Sequence, residues 1–304
     1  MARLGTMRAR ALCCAATICG AIVAGDASSQ GLPRPPAELQ RVGAVGRSNG
    51  LPEVSGVAVS RRHPGILWMH NDSGDQPVIS AVRLSGEVVA RFDVRGARVV
   101  DWEDIALGPC PARVDRHCLF IGDLGDNNER RTRGIVYVVP EPDPAAAAGG
   151  RSTITARAVR IRYVDGPHDI EAIAVDPAGH LHLVTKGRTN PILRYRISRE
   201  ALLGDSVAVQ PVGSLPITPA WMLGRWVTGA AISPDGRRVV VRTYTELYFF
   251  DRSDDDIWTL RSPVCWLGVA EPQGEAVDFL DDATVVLVSE STPTADGTIL
   301  RVRC

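Results

Sequence analysis

One pattern, repeated five times, constrains this chain more than any other feature. SGVAVS from Ser55, EDIALG from Glu103, EAIAVDPAG from Glu171, TGAAISPDG from Thr228 and EAVDFLDDA from Glu275 each read as a short apolar strand followed by a tight turn. A second, more β-branched or aliphatic strand follows each turn: ILWMHND, CLFIGD, LHLVTKG, RVVVRTY and TVVLVSE. The five starts lie 48, 68, 57 and 47 residues apart. Strand pairs at that period, with almost no amphipathic helical stretch between them, predict an all-β chain folded as a single β-propeller. Five blades is the expected number. Six is the alternative, because the spacing of 68 residues could hide an irregular blade. A β-sandwich gives no reason for an inner strand to begin with Glu three times.

Strands follow coarsely from the repeat. In the third unit the inner strand A covers Ile170 to Val175, B covers His180 to Thr185, C covers Ile192 to Ile197, and D lies near Ser206 to Val212. Strand C of the fourth unit is placed at Glu246 to Asp251. The last unit reaches the C-terminus after three strands, ending in TILRVRC, so the ring needs a fourth strand from elsewhere. The N-terminal segment Glu38 to Val45 is the expected donor.

Ahead of the propeller, at 38–304, the chain reads as export machinery. Arg3, Arg8 and Arg10 precede the uncharged run ALCCAATICGAIVAG, which describes a signal peptide over residues 1–27 and is too short for a membrane span. Cys19 follows Ile18 and Cys14 follows Cys13, which argues against lipoprotein processing. Residues 28–37, rich in Pro, read as an extended tether. The expected location is secreted or periplasmic, with no membrane span in the mature chain. Four cysteines then remain, and an even number in an oxidising compartment suggests disulfides. Of three pairings, Cys110 with Cys118 closes a short loop and Cys265 with Cys304 ties down the last residue. No CxxC spacing supports a thiolate metal site.

Charge narrows the function. The chain carries 34 Lys+Arg and 35 Asp+Glu, a net charge of -1, which disfavours a nucleic-acid binder. Yet the charges are unevenly placed along the repeat. In a propeller, the start of strand A and the end of strand B open on one face around the central channel. A-strand starts carry Asp101, Glu103, Asp169, Glu171 and Glu275. B-strand ends carry His70, Asn71, Asp72, Asp123, Asp126, Asn127, Lys186, Arg242 and Glu290. Carboxylates that converge on a channel mouth repel one another unless a cation neutralises them, and a hard divalent ion with oxygen ligands is the simplest choice. Calcium suits an exported protein, with Asp72, Glu103, Asp123, Glu171 and Glu275 as ligands and Asn71, Asp101, Asp126, Asn127, Asp169 and Glu290 completing the surface.

Two functions fit this face. In the first, a monomeric binding or scaffold propeller holds a small molecule, sugar or peptide at the channel mouth. In the second, a calcium-dependent hydrolase of lactones, esters or phosphotriesters polarises its substrate with the metal. His70, His168 or a carboxylate that does not ligate the metal then activates water, with Glu171 orienting His168, and Lys186 or Arg242 holds the developing negative charge. Lys186 stands out as the only lysine of the chain. No GxSxG motif marks a nucleophile. The remaining histidines, His63, His117, His180 and His182, read as loop or strand-surface residues, and Asp254 to Asp256 as a solvated hairpin tip.

HNDSGD at His70, DWEDIA at Asp101, IGDLGDN at Ile121, VPEP at Val139, DGPHDIEA at Asp165 and SPDGRRV at Ser233 together resemble a group of exported bacterial β-propeller proteins of undefined activity. More distantly, Glu at an inner-strand start with Asn and Asp at the channel is similar to the gluconolactonase and strictosidine-synthase-like propellers. That resemblance implies a calcium ion in the channel and hydrolysis of lactones or phosphotriesters. The chain departs from it in having a lower expected blade number and a glutamate in three blades.

Overall fold

The computed structural model describes residues 35–304 apart from Ala148 and Asn190; the signal-peptide reading lies outside the described residues. Five β-sheets stand around a central axis as the five blades of a propeller. The innermost strands, A, are Val54–Val59, Trp102–Cys110, Ile170–Val175, Val227–Ile232 and Gln273–Phe279. Each packs beside the next, and the last returns to the first. These segments are buried along almost their whole length, which is why they read as continuous apolar runs rather than alternating ones. Small residues let the inner strands approach. A Cβ on Gly56 would lie 2.7 Å from the Ile105 amide nitrogen, and one on Gly229 would lie 2.9 Å from the Glu275 carbonyl.

Strands B follow at Ile66–Asn71, Arg113–Asp123, Leu181–Thr185, Arg238–Thr243 and Val285–Glu290, each antiparallel to its strand A. The core is divided into five apolar layers, each shared by two adjacent blades. In the layer between blades one and two, Trp68 meets Phe92 edge-on at 5.9 Å and Trp102 lies 6.0 Å from Tyr137.

Blade five is closed as expected. Its three C-terminal strands are completed by Glu38–Val45, which pairs antiparallel with Gly297–Arg303. Both disulfides form: Cys110–Cys118 staples the A–B hairpin of blade two, and Cys265–Cys304 ties the last residue to blade four. Residues 35–37, expected as part of a free tether, lie against Trp266, with the Ala37 amide donating to its carbonyl at 3.0 Å.

The long spacing hides no sixth blade. Arg151–Thr155 runs parallel along the outer edge of blade one, and Arg157–Tyr163 then supplies strand D of blade two. Strand D of blade three is Pro211–Ser214; Ser206–Val209 instead pairs parallel with the outer edge of blade two. Both segments are short and largely exposed, so their apolar pattern carries no choice of partner. Among the described residues no helix is long and apolar enough to cross a membrane.

Candidate functional site

Every blade breaks its A–B ladder at the same place. The register slips once near the start of strand A and leaves one residue unpaired: Ser55, Glu103, Glu171, Thr228 and Glu275. These are the first residues of the five repeats. A β-bulge re-aims a side chain out of the pleat, and five at equivalent positions make a polar ring at one mouth of the channel. All five residues are buried. Below the ring the channel narrows to a cavity of about 20 Å³ lined by Val57, Ile105, Ala174, Ala230 and Val277 together with Asp278, so the ring stands in a shallow well above a nearly filled channel.

The well holds more carboxyls than cations. Lys186 Nζ lies 2.5 Å from Glu171 Oε1 and is largely buried with it. Burial opposes the Lys186 charge, but Glu171, Tyr244 and Glu103 override it and hold the ammonium protonated beyond its ordinary range. Burial pushes Glu171 up to about 8, against the pull of Lys186. It also pushes Glu275 up to about 8, with help from Glu290, and Glu290 to about 7, with help from Asp72. Glu103 is driven well above the carboxylate range by burial and by Glu171, Asp72 and Asp101. Burial, then Asp72 and Asp169, raise Asp101 to about 6, and burial raises Asp72. Such shifts mark groups that gain from a nearby cation.

Two carboxyl triads could hold one. Asp72, Asp101 and Glu103 bring ligand oxygens within 4.8 Å of one another, and so do Glu103, Asp169 and Glu171. The second triad already has its counter-charges: Lys186 on Glu171, and Arg188 Nε 2.6 Å from Asp169, which also accepts the Asp126 amide at 2.8 Å. Among the described residues no Lys or Arg pairs with Asp72, Asp101 or Glu103. The Ser55 hydroxyl donates to Glu103 at 3.4 Å.

Other expected site residues lie nearby with different work. Asp123 is fully buried and paired with Arg131 at 3.0 Å, outside both triads. Asp126 accepts the Arg130 and Arg131 amides, and Asn127 accepts from Arg188. Asn71 clips its loop, accepting the Glu53 amide and donating to the Gly50 carbonyl at 3.1 Å. Arg242 does not face the well. It is fully buried, donates to the Ala276 and Val288 carbonyls at 2.7 and 3.1 Å, and pairs with Glu271, bracing blade four on blade five. A Cβ on Gly274 would overlap its guanidinium, so that position needs glycine.

Neither histidine is placed as a base in the well. His70 is fully buried edge-on against Trp102 at 5.3 Å, and burial lowers it to about 4, leaving it neutral. His168 is oriented by Asp165, 2.9 Å from its Nε2, and not by Glu171. Asp165 also accepts the Tyr195 hydroxyl at 2.8 Å. Two surface expectations also fail. His182 is buried between Asp176 and Trp258. At the Asp254 to Asp256 tip, the first two residues are exposed but Asp256 turns inward, accepting from Arg194 and Arg252 at 2.5 and 2.7 Å.

Tyr244 and Thr228 are the residues the sequence reading passed over. Tyr244 lies beside Glu275, Lys186, Glu171 and Glu103, and burial raises its hydroxyl. The signal was available: it directly follows strand B, as Asp72 does in blade one and Lys186 in blade three. Thr228 fills the fourth ring position with a buried hydroxyl that has no hydrogen-bond partner among the described residues.

No protein-family model and no curated protein sequence matches the chain. Solved structures do. The chain is similar to the PQQ-bound aldose sugar dehydrogenase of Streptomyces coelicolor, with a TM-score of 0.53 and 11% identity over 90% of this chain and 99% of that one. It is also similar to the apo-form of the soluble aldose sugar dehydrogenase of Escherichia coli, with a TM-score of 0.50 and 11% identity over 88% and 99%. At that identity the likeness shows the fold alone.

Proposed function

We propose that the protein is an exported ligand-binding propeller whose acidic well takes up a divalent cation, calcium, on Asp72, Asp101 and Glu103. The observation that carries this reading is the uneven pairing of the two triads. Glu171 and Asp169 are in ion-pair contact with Lys186 and Arg188; Asp72, Asp101 and Glu103, the last shared by both triads, offer three oxygen ligands with no Lys or Arg in ion-pair contact among the described residues, and feel only the longer-range pull of Lys186 and Arg131. Hard oxygen donors of net negative charge are the donor set that calcium prefers. Glu275 and Glu290 extend the acidic surface beside it, and two disulfides support an oxidising location.

Binding fits better than hydrolysis. A hydrolase needs a base beside the metal; His70 is sealed in the core and His168 is held by Asp165, which leaves only the carboxyls of the well for that role. PQQ, named for the Streptomyces neighbour, does not fit either. It is an anionic quinone, and a well in which burial, and then Glu171, Asp72 and Asp101, already push Glu103 toward protonation disfavours further negative charge.

Thermal melting tests the metal. Calcium is expected to raise Tm relative to chelator, as any ligand that binds only the folded state does, and Asp101→Asn is expected to abolish the difference. Equal melting curves with and without calcium would sink the metal assignment.

A further inference from the structure

The face around the well has a second character. Twelve large apolar side chains are exposed among the described residues, and six of them, Val100, Val164, Trp221, Met222, Leu223 and Val269, lie in loops that lead into strands A of blades two to five. Because every strand A begins at the mouth of the well, these loops surround it. Met222 and Val269 are each 91% exposed. Concentrating apolar surface on one face of a propeller, around a charged centre, is the pattern of an interaction site rather than of scattered surface residues.

The rim is physically joined to the well. Trp221 packs against Trp226, tilted with ring centroids 4.7 Å apart, the Arg188 guanidinium lies over Trp226 at 4.5 Å, and Arg188 reaches Asp169 at 2.6 Å. Two cations of the chain therefore already show how this face receives positive charge: Arg188 between an indole and a carboxylate, Lys186 against Glu171. Glu275 and Glu290 have no Lys or Arg in ion-pair contact among the described residues and feel only the longer-range pull of Lys186 on both and of Arg242 on Glu275.

We propose that this face docks a polypeptide segment that lowers a Lys or Arg side chain into the acidic well while its apolar neighbours rest on the Trp221, Met222, Leu223 and Val269 rim. Charge complementarity selects the basic side chain. Breadth selects a polypeptide: the apolar positions belong to loops of four blades, and a small amine that fills the well touches few of them. An anionic lipid surface is opposed by the same carboxyls. The proposal rests on the reading of this face as a binding face, and not on the metal, since calcium on Asp72, Asp101 and Glu103 leaves Glu275 and Glu290 free of it.

Fluorescence polarisation with the full mature chain, in chelator, uses labelled Gly-Leu-Leu-Lys-Leu-Leu-Gly as probe. Two controls replace the Lys by Gln or all four Leu by Gly. The Lys peptide is expected to bind at least about tenfold more tightly than either control, and a Trp221→Ser, Met222→Ser protein with unchanged melting is expected to lose about tenfold, as for other exposed interface anchors. Absence of binding, equal binding of the Lys and Gln peptides, or full binding by the rim variant would overturn the proposal. A calcium-induced melting shift without peptide binding overturns docking alone. Peptide binding without that shift upholds docking and overturns the metal alone.

Discussion

Burying Glu103, Glu171 and Glu275 in one ring sets a conflict that the chain resolves only in part, with Lys186. A carboxyl whose pKa rises on folding binds its proton more tightly in the native state than in the unfolded chain. Its contribution to stability is therefore lost as pH rises from the unfolded value, near 4.5, to the folded one, about 8 for Glu275. In chelator, stability should fall across that window, and Glu275→Gln should remove part of the fall, gaining on the order of 2–4 kcal/mol at pH 8. Urea denaturation at pH 5 and pH 8 measures it; an equal pH dependence in both proteins would show that Glu275 is not held protonated. The three glutamates were visible in the sequence because they stand at equivalent repeat positions. Thr228 and Tyr244 stand at equivalent positions too, yet their residue types carry no charge to draw attention, and only the fold puts Thr228 in the ring and Tyr244 beside Lys186.

At the scale of elements, strands A and B were legible because each is buried on both faces over most of its length and is mainly apolar there; Arg113–His117, at the start of strand B of blade two, is an exposed extension. Ile170 to Val175 agrees residue for residue. Outer strands were not, because an exposed strand accepts either neighbour; Ser206–Val209 joined blade two rather than three. The two disulfides staple different amounts of chain. Cys265–Cys304 spans 39 residues and links blades four and five, whereas Cys110–Cys118 spans 8 within one hairpin. Loop-closure entropy then makes the first worth about 1 kcal/mol more than the second, within a total of about 2–5 kcal/mol for each. Differential scanning calorimetry of Cys265→Ser with Cys304→Ser, against Cys110→Ser with Cys118→Ser, should show the larger drop in Tm for the former. The reverse order would show that loop-closure entropy does not rank the two bonds.

For the whole molecule, ring closure is the decisive contact. Glu38–Val45 completes blade five and brings the first apolar layer against the last, with Val45 buried among Val54, Val57 and Val288. Removal of residues 38–45 should therefore cost far more than eight residues of edge strand. The expected result is loss of the cooperative melting transition, read by near-ultraviolet circular dichroism; a truncated chain that still melts cooperatively would show that packing of the inner strands of blades five and one closes the ring unaided. By itself the sequence determined the repeat, the five inner strands, the closing segment, both cysteine pairs and the face on which the acids gather. Those depend on local periodicity and on spacing along the chain. Tertiary structure decided which acids are already paired. It sent Arg242 to the blade interface and His70 into the core, gave Lys186 to Glu171, and left Asp72, Asp101 and Glu103 without a cation of their own. Pairing depends on distances of a few ångströms between blades, and those are fixed by bulges and packing that no spacing in the sequence encodes.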